Sequence, residues 1–88
     1  MTGLKGIYSI YDKKAEIYLP PFMEAANGTA IRKMQDMVAD ANPNNVLHHH
    51  SADFDLVKLG EFSEISGGII VKDTEVLINL AQLKNSGE

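Results

Sequence analysis

The sequence contains no cysteine among its 88 residues, which excludes disulfide bonds, thiolate zinc sites and cysteine nucleophiles. Aromatic residues make up only 7%, and no apolar run approaches the roughly 20 residues that a transmembrane helix needs. The opening MTGLKGIYS also lacks the apolar segment of a secretion signal. These absences favour a soluble intracellular protein in which residues 1–88 form a single domain, with residues 1–3 and 84–88 as frayed ends.

A strong basic excess, which a general nucleic-acid-binding protein would carry, is also lacking, since the formal net charge is −4. The charges are unevenly spread along the chain. Residues 1–33 hold five cations against three acids, whereas residues 34–88 hold three cations against nine acids. Residues 1–33 are therefore the only part of the sequence where the charge balance favours a weak nucleic-acid contact.

Two extended segments are predicted near the start of the chain. Residues 6–11 are rich in β-branched and aromatic side chains, which is typical of a strand, and residues 16–19 follow as a second extended segment after a polar break. Pro20 and Pro21 cannot donate backbone hydrogen bonds to a neighbouring strand. They are therefore expected to end the sheet or to lie at its edge.

The rest of the chain predicts two helices and two further strands. One helix is predicted to start at residues 27–29 and another at Asp73 or Thr74. Residues 41–53 are predicted to form a polar connection. Residues 54–62 and 68–71 are predicted as strands, with the turn at Gly67-Gly68. Each helix has one apolar face, formed by Ala30, Ile31, Met34, Met37 and Val38 in the first and by Val76, Leu77, Leu80 and Leu83 in the second. The predicted fold class is α+β, a small mainly antiparallel sheet with two helices packed on one face.

Three consecutive histidines, His48 to His50, stand near Asp53 and Asp55 and suggest a metal site. Adjacent residues of an extended segment point to opposite sides, so at most His48 and His50 share a face. The H-x-x-x-H spacing of a metal-binding pair on a helix is also absent. A solvated loop is the preferred interpretation, and no metal or cofactor is predicted. The sequence also has no nucleophile elbow or phosphate-binding glycine loop, so no catalytic residues and no enzyme activity are predicted.

The candidate binding residues lie in and after the first strand. Aromatic rings flanked by cations form stacking platforms in proteins that bind single-stranded DNA. Tyr18 belongs to the same tyrosine-rich stretch. The alternative is that the tyrosine rings lie at the edge of the core and the lysines are solvent-exposed residues of a turn. The predicted nucleic-acid-binding residues are Lys5, Tyr8, Tyr11, Lys13, Lys14, Arg32 and Lys33.

The same stretch, IYSIYDKKAEIYLPPF, resembles the small nonstructural protein of gokushovirus-type microviruses, which are single-stranded DNA phages. The resemblance continues through GTAIRKMQD and ADFDLVKLGEFSEISGGI. The matching residues are Ile10, Tyr11, Asp12, Lys14, Ala15, Pro20, Pro21, Phe22, Ala30, Ile31, Arg32, Asp53, Phe54, Leu56, Leu59, Gly60, Phe62, Ser66 and Gly67. Many relatives have a proline just before the acidic segment, where this chain has HHHSA.

The resemblance implies a phage protein that acts in the host cytoplasm during single-stranded DNA genome synthesis and packaging. Its partners would be single-stranded DNA or the phage and host replication and packaging proteins. A protein-interaction module that binds a phage or host protein is the alternative, through an exposed sheet edge or the acidic C-terminal half. A homodimer formed through an edge strand is compatible with both, because so small a domain leaves strand edges uncovered.

Overall fold

A computed structural model describes residues 3–86 and has the predicted α+β architecture, an antiparallel sheet with helices on one face. Five strands and three α-helices are present in this part of the chain. They are β1 (Leu4–Asp12), β2 (Ile17–Tyr18), β3 (Phe22–Glu24), α1 (Asn27–Ala39), α2 (Val46–His49), β4 (Phe54–Ser63), β5 (Ile69–Asn79) and α3 (Leu80–Ser86). A single 3-10 turn, Ser51–Asp53, lies between α2 and β4.

The sheet has the strand order β2-β1-β4-β5, and β3 pairs with β1 on the same edge as β2. Residues 17–24 therefore form one edge strand that is interrupted at Pro20 and Pro21. This is the edge position expected for two prolines without backbone N–H groups. The opposite edge of the sheet is β5, which pairs only with β4 among the described strands.

The hydrophobic core lies between the sheet and the helices α1 and α3. Alternation along β1 directs Tyr8 and Ile10 towards the helices, where they join Leu56 of β4. The helices contribute buried side chains at the predicted spacing. These side chains are Ala30, Met34 and Val38 in α1 and Leu80 and Leu83 in α3.

The second helix begins later than predicted. Residues 73–79 belong to β5, and the chain becomes helical only at Leu80. In β5, Val76 is 60% exposed and pairs with Val57 of β4, so it does not lie on a buried helical stripe. Pairing of Glu75, Val76, Ile78 and Asn79 with β4 satisfies backbone groups of that strand, and a helix over residues 73–79 would leave them without a partner.

The connection at residues 41–53 is more structured than predicted. It contains α2 and the 3-10 turn, and Leu47 reaches the core. Asn45 organises this segment, because its side-chain N–H donates to the carbonyls of Met37 (2.8 Å) and Asp40 (2.7 Å) at the end of α1. Its side-chain oxygen accepts from the backbone N–H of Leu47, which caps α2.

The turn between β4 and β5 is longer than a two-residue hairpin, although one glycine acts as predicted. Gly67 has a φ of 77°, a conformation that a residue without a Cβ adopts easily. Its backbone N–H donates to Ser63, and the N–H of Ser63 donates to the carbonyl of Gly68. These bonds close a turn over residues 64–68.

The predicted frayed ends fall partly outside the described residues, since residues 1, 2, 87 and 88 are not described. Within the described part, the carbonyl of Gly3 accepts a hydrogen bond from the backbone N–H of Glu64 (2.7 Å). Lys84 belongs to α3. No helix in residues 3–86 is both long and apolar enough to cross a membrane.

Candidate nucleic-acid interface

The seven predicted binding residues do not form one surface. Tyr8 is fully buried, with its hydroxyl donating to the side-chain oxygen of Asn27 (2.7 Å) and its ring 5.9 Å from that of Phe22. Burial raises the pKa of its hydroxyl, and the charge of Glu24 adds to this effect. The prediction that Tyr8 stacks on a base is therefore wrong, because its ring belongs to the core.

The cations are also spread over the molecule. Lys5 lies near the start of β1 and Lys13 directly follows its end, about 26 Å away at the usual rise of an extended chain. Three of the five cations lie beside acids. Lys5 is 3.5 Å from Glu64, Lys13 is 3.8 Å from Asp55, and Lys33 is 3.7 Å from Glu24, all between side-chain nitrogen and carboxylate oxygen.

The two cations of α1 differ in their surroundings. The ammonium of Lys33 lies 4.6 Å from the centre of the Phe22 ring, in a cation–π contact that helps to fix β3 against α1. Arg32 is exposed on the same helix. Lys33 is therefore engaged with β3, through both Phe22 and Glu24.

One part of the predicted set remains together at the end of the β1–β2 hairpin. Tyr11 pairs with Tyr18 across the two strands, and their ring centres are 4.6 Å apart. Tyr18 is 52% exposed, and Lys13 and Lys14 follow in the turn. We call Tyr11, Lys13, Lys14 and Tyr18 the hairpin end.

Hydrogen bonds hold the turn of the hairpin end in one conformation. The carboxylate of Asp12 accepts from the backbone N–H groups of Lys14 (3.0 Å) and Ala15 (3.1 Å). The backbone N–H of Glu16 donates to the Asp12 carbonyl, and Glu16 has a positive φ of 61°. The lysine backbone is therefore fixed, while both lysine side chains remain exposed.

The histidines help to hold the chain after α1. The ring nitrogen Nδ1 of His48 lies 2.7 Å from the carbonyl of Val38, and Nε2 of His49 lies 3.1 Å from the carbonyl of Asn42. Both carbonyls can accept from a ring N–H. In residues 3–86, no three histidine or acidic side chains converge in the way a metal site requires.

A second surface feature was missed by the sequence analysis. On the face of the sheet opposite the helices, the outer face, apolar side chains surround a groove of about 250 Å³. The groove is lined by Ile7, Pro21, Phe22, Met23, Phe62 and Ile69. We call these residues the apolar patch, together with Val71, which pairs with Gly60 beside Ile7. Residues 6–11 and 68–71 have apolar side chains on both faces of a strand, which was the available signal for an apolar outer face. Only pairing with β4 brings these two segments together.

The opposite side of the same sheet region is charged. Glu61 lies 3.1 Å from the ammonium of Lys72 and 3.6 Å from that of Lys58. The hydrogen bond from Lys72 lowers the pKa of Glu61, and the charge of Lys58 acts in the same direction. This end of the sheet therefore has one charged face and one apolar face.

Comparison with known proteins gives a consistent family. The profile of a family described as Phage ORF5 protein matches residues 5–83. The protein ORF5 of Chlamydia phage 1 is 35% identical over 83 residues, a match that covers 92% of this chain and 82% of the relative. No solved structure matches significantly. The resemblance to a small microvirus protein is thereby confirmed, and the chain belongs to the Phage ORF5 protein family.

Proposed function

We propose that the protein is a non-enzymatic accessory of single-stranded DNA genome replication and packaging, acting in the host cytoplasm. In this proposal it contacts single-stranded DNA weakly through the hairpin end. The observation that carries the proposal is the Tyr11–Tyr18 ring pair beside the exposed Lys13 and Lys14. Membership in a family of small phage proteins supports a role in the phage cycle.

The chemistry of the hairpin end suits a sequence-tolerant contact. The exposed ring of Tyr18 offers a π-face on which any base could stack, and the two lysines could contact adjacent phosphates. Acids nearby limit the affinity, because Lys13 already lies 3.8 Å from Asp55. The proposal therefore narrows the DNA contact to these four residues and leaves Lys5, Arg32 and Lys33 outside it.

Fluorescence anisotropy with a labelled single-stranded oligonucleotide at low salt tests the DNA contact. We expect binding in the range of tens of micromolar, weakened by salt. Lys13→Ala with Lys14→Ala should weaken binding about tenfold, because two phosphate contacts are lost. Tyr18→Ala should remove about 1–3 kcal/mol of binding free energy if a base stacks on its ring.

A matched control changes the net charge by the same amount away from the hairpin end. Arg32→Ala with Lys84→Ala removes two exposed cations from α1 and α3 and should leave the affinity nearly unchanged. Equal losses in both double variants would indicate a general charge effect and contradict a localised site. Absence of binding at tens of micromolar, or binding indifferent to salt, would reject the DNA contact.

A second candidate is a protein-interaction module that binds a phage or host protein at the outer edge of β5. That edge has no partner among the described strands, and its segment includes exposed acids Asp73 and Glu75. An incoming strand could pair with such an edge. Capture of the tagged protein from infected cells, with nuclease treatment, tests this candidate. A partner protein that survives nuclease would favour it if the partner is lost on Thr74→Pro but kept on Lys13→Ala with Lys14→Ala.

A further inference from the structure

Several side chains of the apolar patch are largely exposed. Val71 is 85% exposed, Ile69 is 68% exposed and Met23 is 50% exposed. Strand register places Ile7, Gly60 and Val71 side by side on three adjacent strands, so Ile7 and Val71 lie on one face of the sheet with no side chain between them. Contiguous apolar surface of this kind marks an interaction site more often than a solvent-exposed face.

The charge at the border of the patch is balanced. Lys5 pairs with Phe62 in register and therefore lies on the outer face, and its ammonium is 3.5 Å from Glu64. Both side chains are about half exposed, at 43% and 50%. A two-fold axis that passes between these two side chains would place Lys5 of each copy opposite Glu64 of the other.

The dimensions of the molecule leave room for such a contact. The chain measures 41 × 28 × 19 Å, and its radius of gyration of 13.5 Å exceeds the value of about 12 Å expected for a compact domain of this length. The two longer dimensions provide more than the roughly 800 Å² that each partner contributes to a standard interface. Interfaces between identical subunits are also more apolar than other interfaces, as this patch is.

We propose that the apolar patch is the contact surface of a homodimer, in which the outer faces of two copies pack against each other about a two-fold axis. Ile69 and Val71 of one copy enter the groove between Ile7 and Phe62 of the other. The Lys5 and Glu64 side chains form ion pairs between the copies at the rim. This contact differs from edge-strand pairing, and it does not depend on the proposed DNA contact at the hairpin end.

Sedimentation velocity of the full chain across a concentration series tests the dimer. We expect the wild type to dimerise, and Ile69→Glu with Val71→Glu to raise the dimer Kd at least about a hundredfold, because four carboxylates would be buried in an apolar contact. Circular dichroism should be unchanged in this variant, since both side chains are exposed in the single chain. Val46→Glu, at an exposed apolar position on α2, is the control and should leave the Kd unchanged.

A charge exchange then identifies the rim pairs as intermolecular. Lys5→Glu and Glu64→Lys should each weaken the homodimer about tenfold, because like charges meet in both rim pairs. Mixing the two variants should restore association as a heterodimer, in which both rim pairs again carry opposite charges. If Lys5 and Glu64 pair only within one chain, mixing the two variants will not restore association.

Three results would overturn the proposal. A wild type that stays monomeric would leave a phage or host protein as the occupant of the patch. A dimer insensitive to Ile69→Glu with Val71→Glu but broken by Thr74→Pro would assign the contact to the β5 edge. Failure of the mixed charge variants to associate more strongly than either variant alone would reject the two-fold arrangement.

Discussion

Gly6 lies on the helix-facing side of β1 beneath the ring of Tyr8. A Cβ at this position would come within 2.3 Å of the Tyr8 hydroxyl oxygen, so a methyl group cannot fit unless the ring moves. That ring is fully buried and hydrogen-bonded to Asn27, which leaves it little freedom to adjust. The two residues therefore depend on each other.

We predict that Gly6→Ala lowers the free energy of unfolding by about 1–3 kcal/mol, the usual cost of overpacking a core. Urea unfolding followed by circular dichroism measures this change. Gly28→Ala is the control, because a Cβ there meets no atom within 4 Å and lies near the start of α1. It should be neutral or stabilise the fold by up to about 1 kcal/mol.

Glu61 provides a pH-dependent prediction at the scale of single residues. Its pKa is lowered in the folded state by the hydrogen bond from Lys72, so its contribution to stability is present above the unfolded pKa of about 4.3 and is lost as the pH falls through the folded value. We expect Glu61→Gln to be less stable than wild type at pH 7, with the difference shrinking as the pH falls below about 4.

Urea unfolding at pH 7 and at low pH measures the Glu61 effect. Lys72→Gln removes the same ion pair from the other side and should show the same convergence with wild type in acid. A difference between Glu61→Gln and wild type that is constant across this pH range would show that the carboxylate charge is not responsible.

At the scale of elements, Asn45 joins the end of α1 to the start of α2. Asn45→Ala removes two hydrogen bonds to α1 carbonyls and the cap of α2, and we expect a loss of about 1–2 kcal/mol of stability. Asn44→Ala is the matched control, because Asn44 donates its backbone N–H to Asn42 and alanine keeps that group. Similar losses in thermal unfolding for both variants would contradict the assigned role of Asn45.

The strands and helices differ in how far the sequence predicts them. The first helix is recovered because its apolar positions, including Ala30, Met34 and Val38, face one core. Residues 73–79 mislead because Val76, Leu77, Leu80 and Leu83 have helical spacing, yet Val76 and Leu77 belong to a strand. Pairing with β4, about twenty residues away in sequence, decides the outcome, and local periodicity contains no information on that partner.

The candidate site shows the same limit. Tyr11, Lys13 and Lys14 lie together because they are close in the chain, and Tyr18 joins them by pairing with Tyr11 across the hairpin. The prediction fails at Tyr8 because a strand of apolar and aromatic residues does not reveal which face meets the helices. The apolar patch was missed because its residues come from β1, β3, β4 and β5, which meet only in the folded sheet.

At the scale of the whole molecule, the salt dependence of DNA binding should count the lysines in contact. Two phosphates neutralised by one hairpin end predict a slope of about −1.4 for log of the association constant against log of salt concentration. A dimer whose two hairpin ends hold one strand would double this slope. Anisotropy titrations on wild type and on Ile69→Glu with Val71→Glu compare the two cases, and a slope near zero in both would exclude phosphate contacts.

The interruption at Pro20 and Pro21 has a consequence for how far copies of this chain can polymerise. Two prolines without backbone N–H groups, between strands of two and three residues, make that edge a poor template for a further strand. Only β5 remains available for strand addition among the described strands. A sheet that accepts a further strand at only one edge can pair with only one other copy in this way, so association through strand edges stops at two copies.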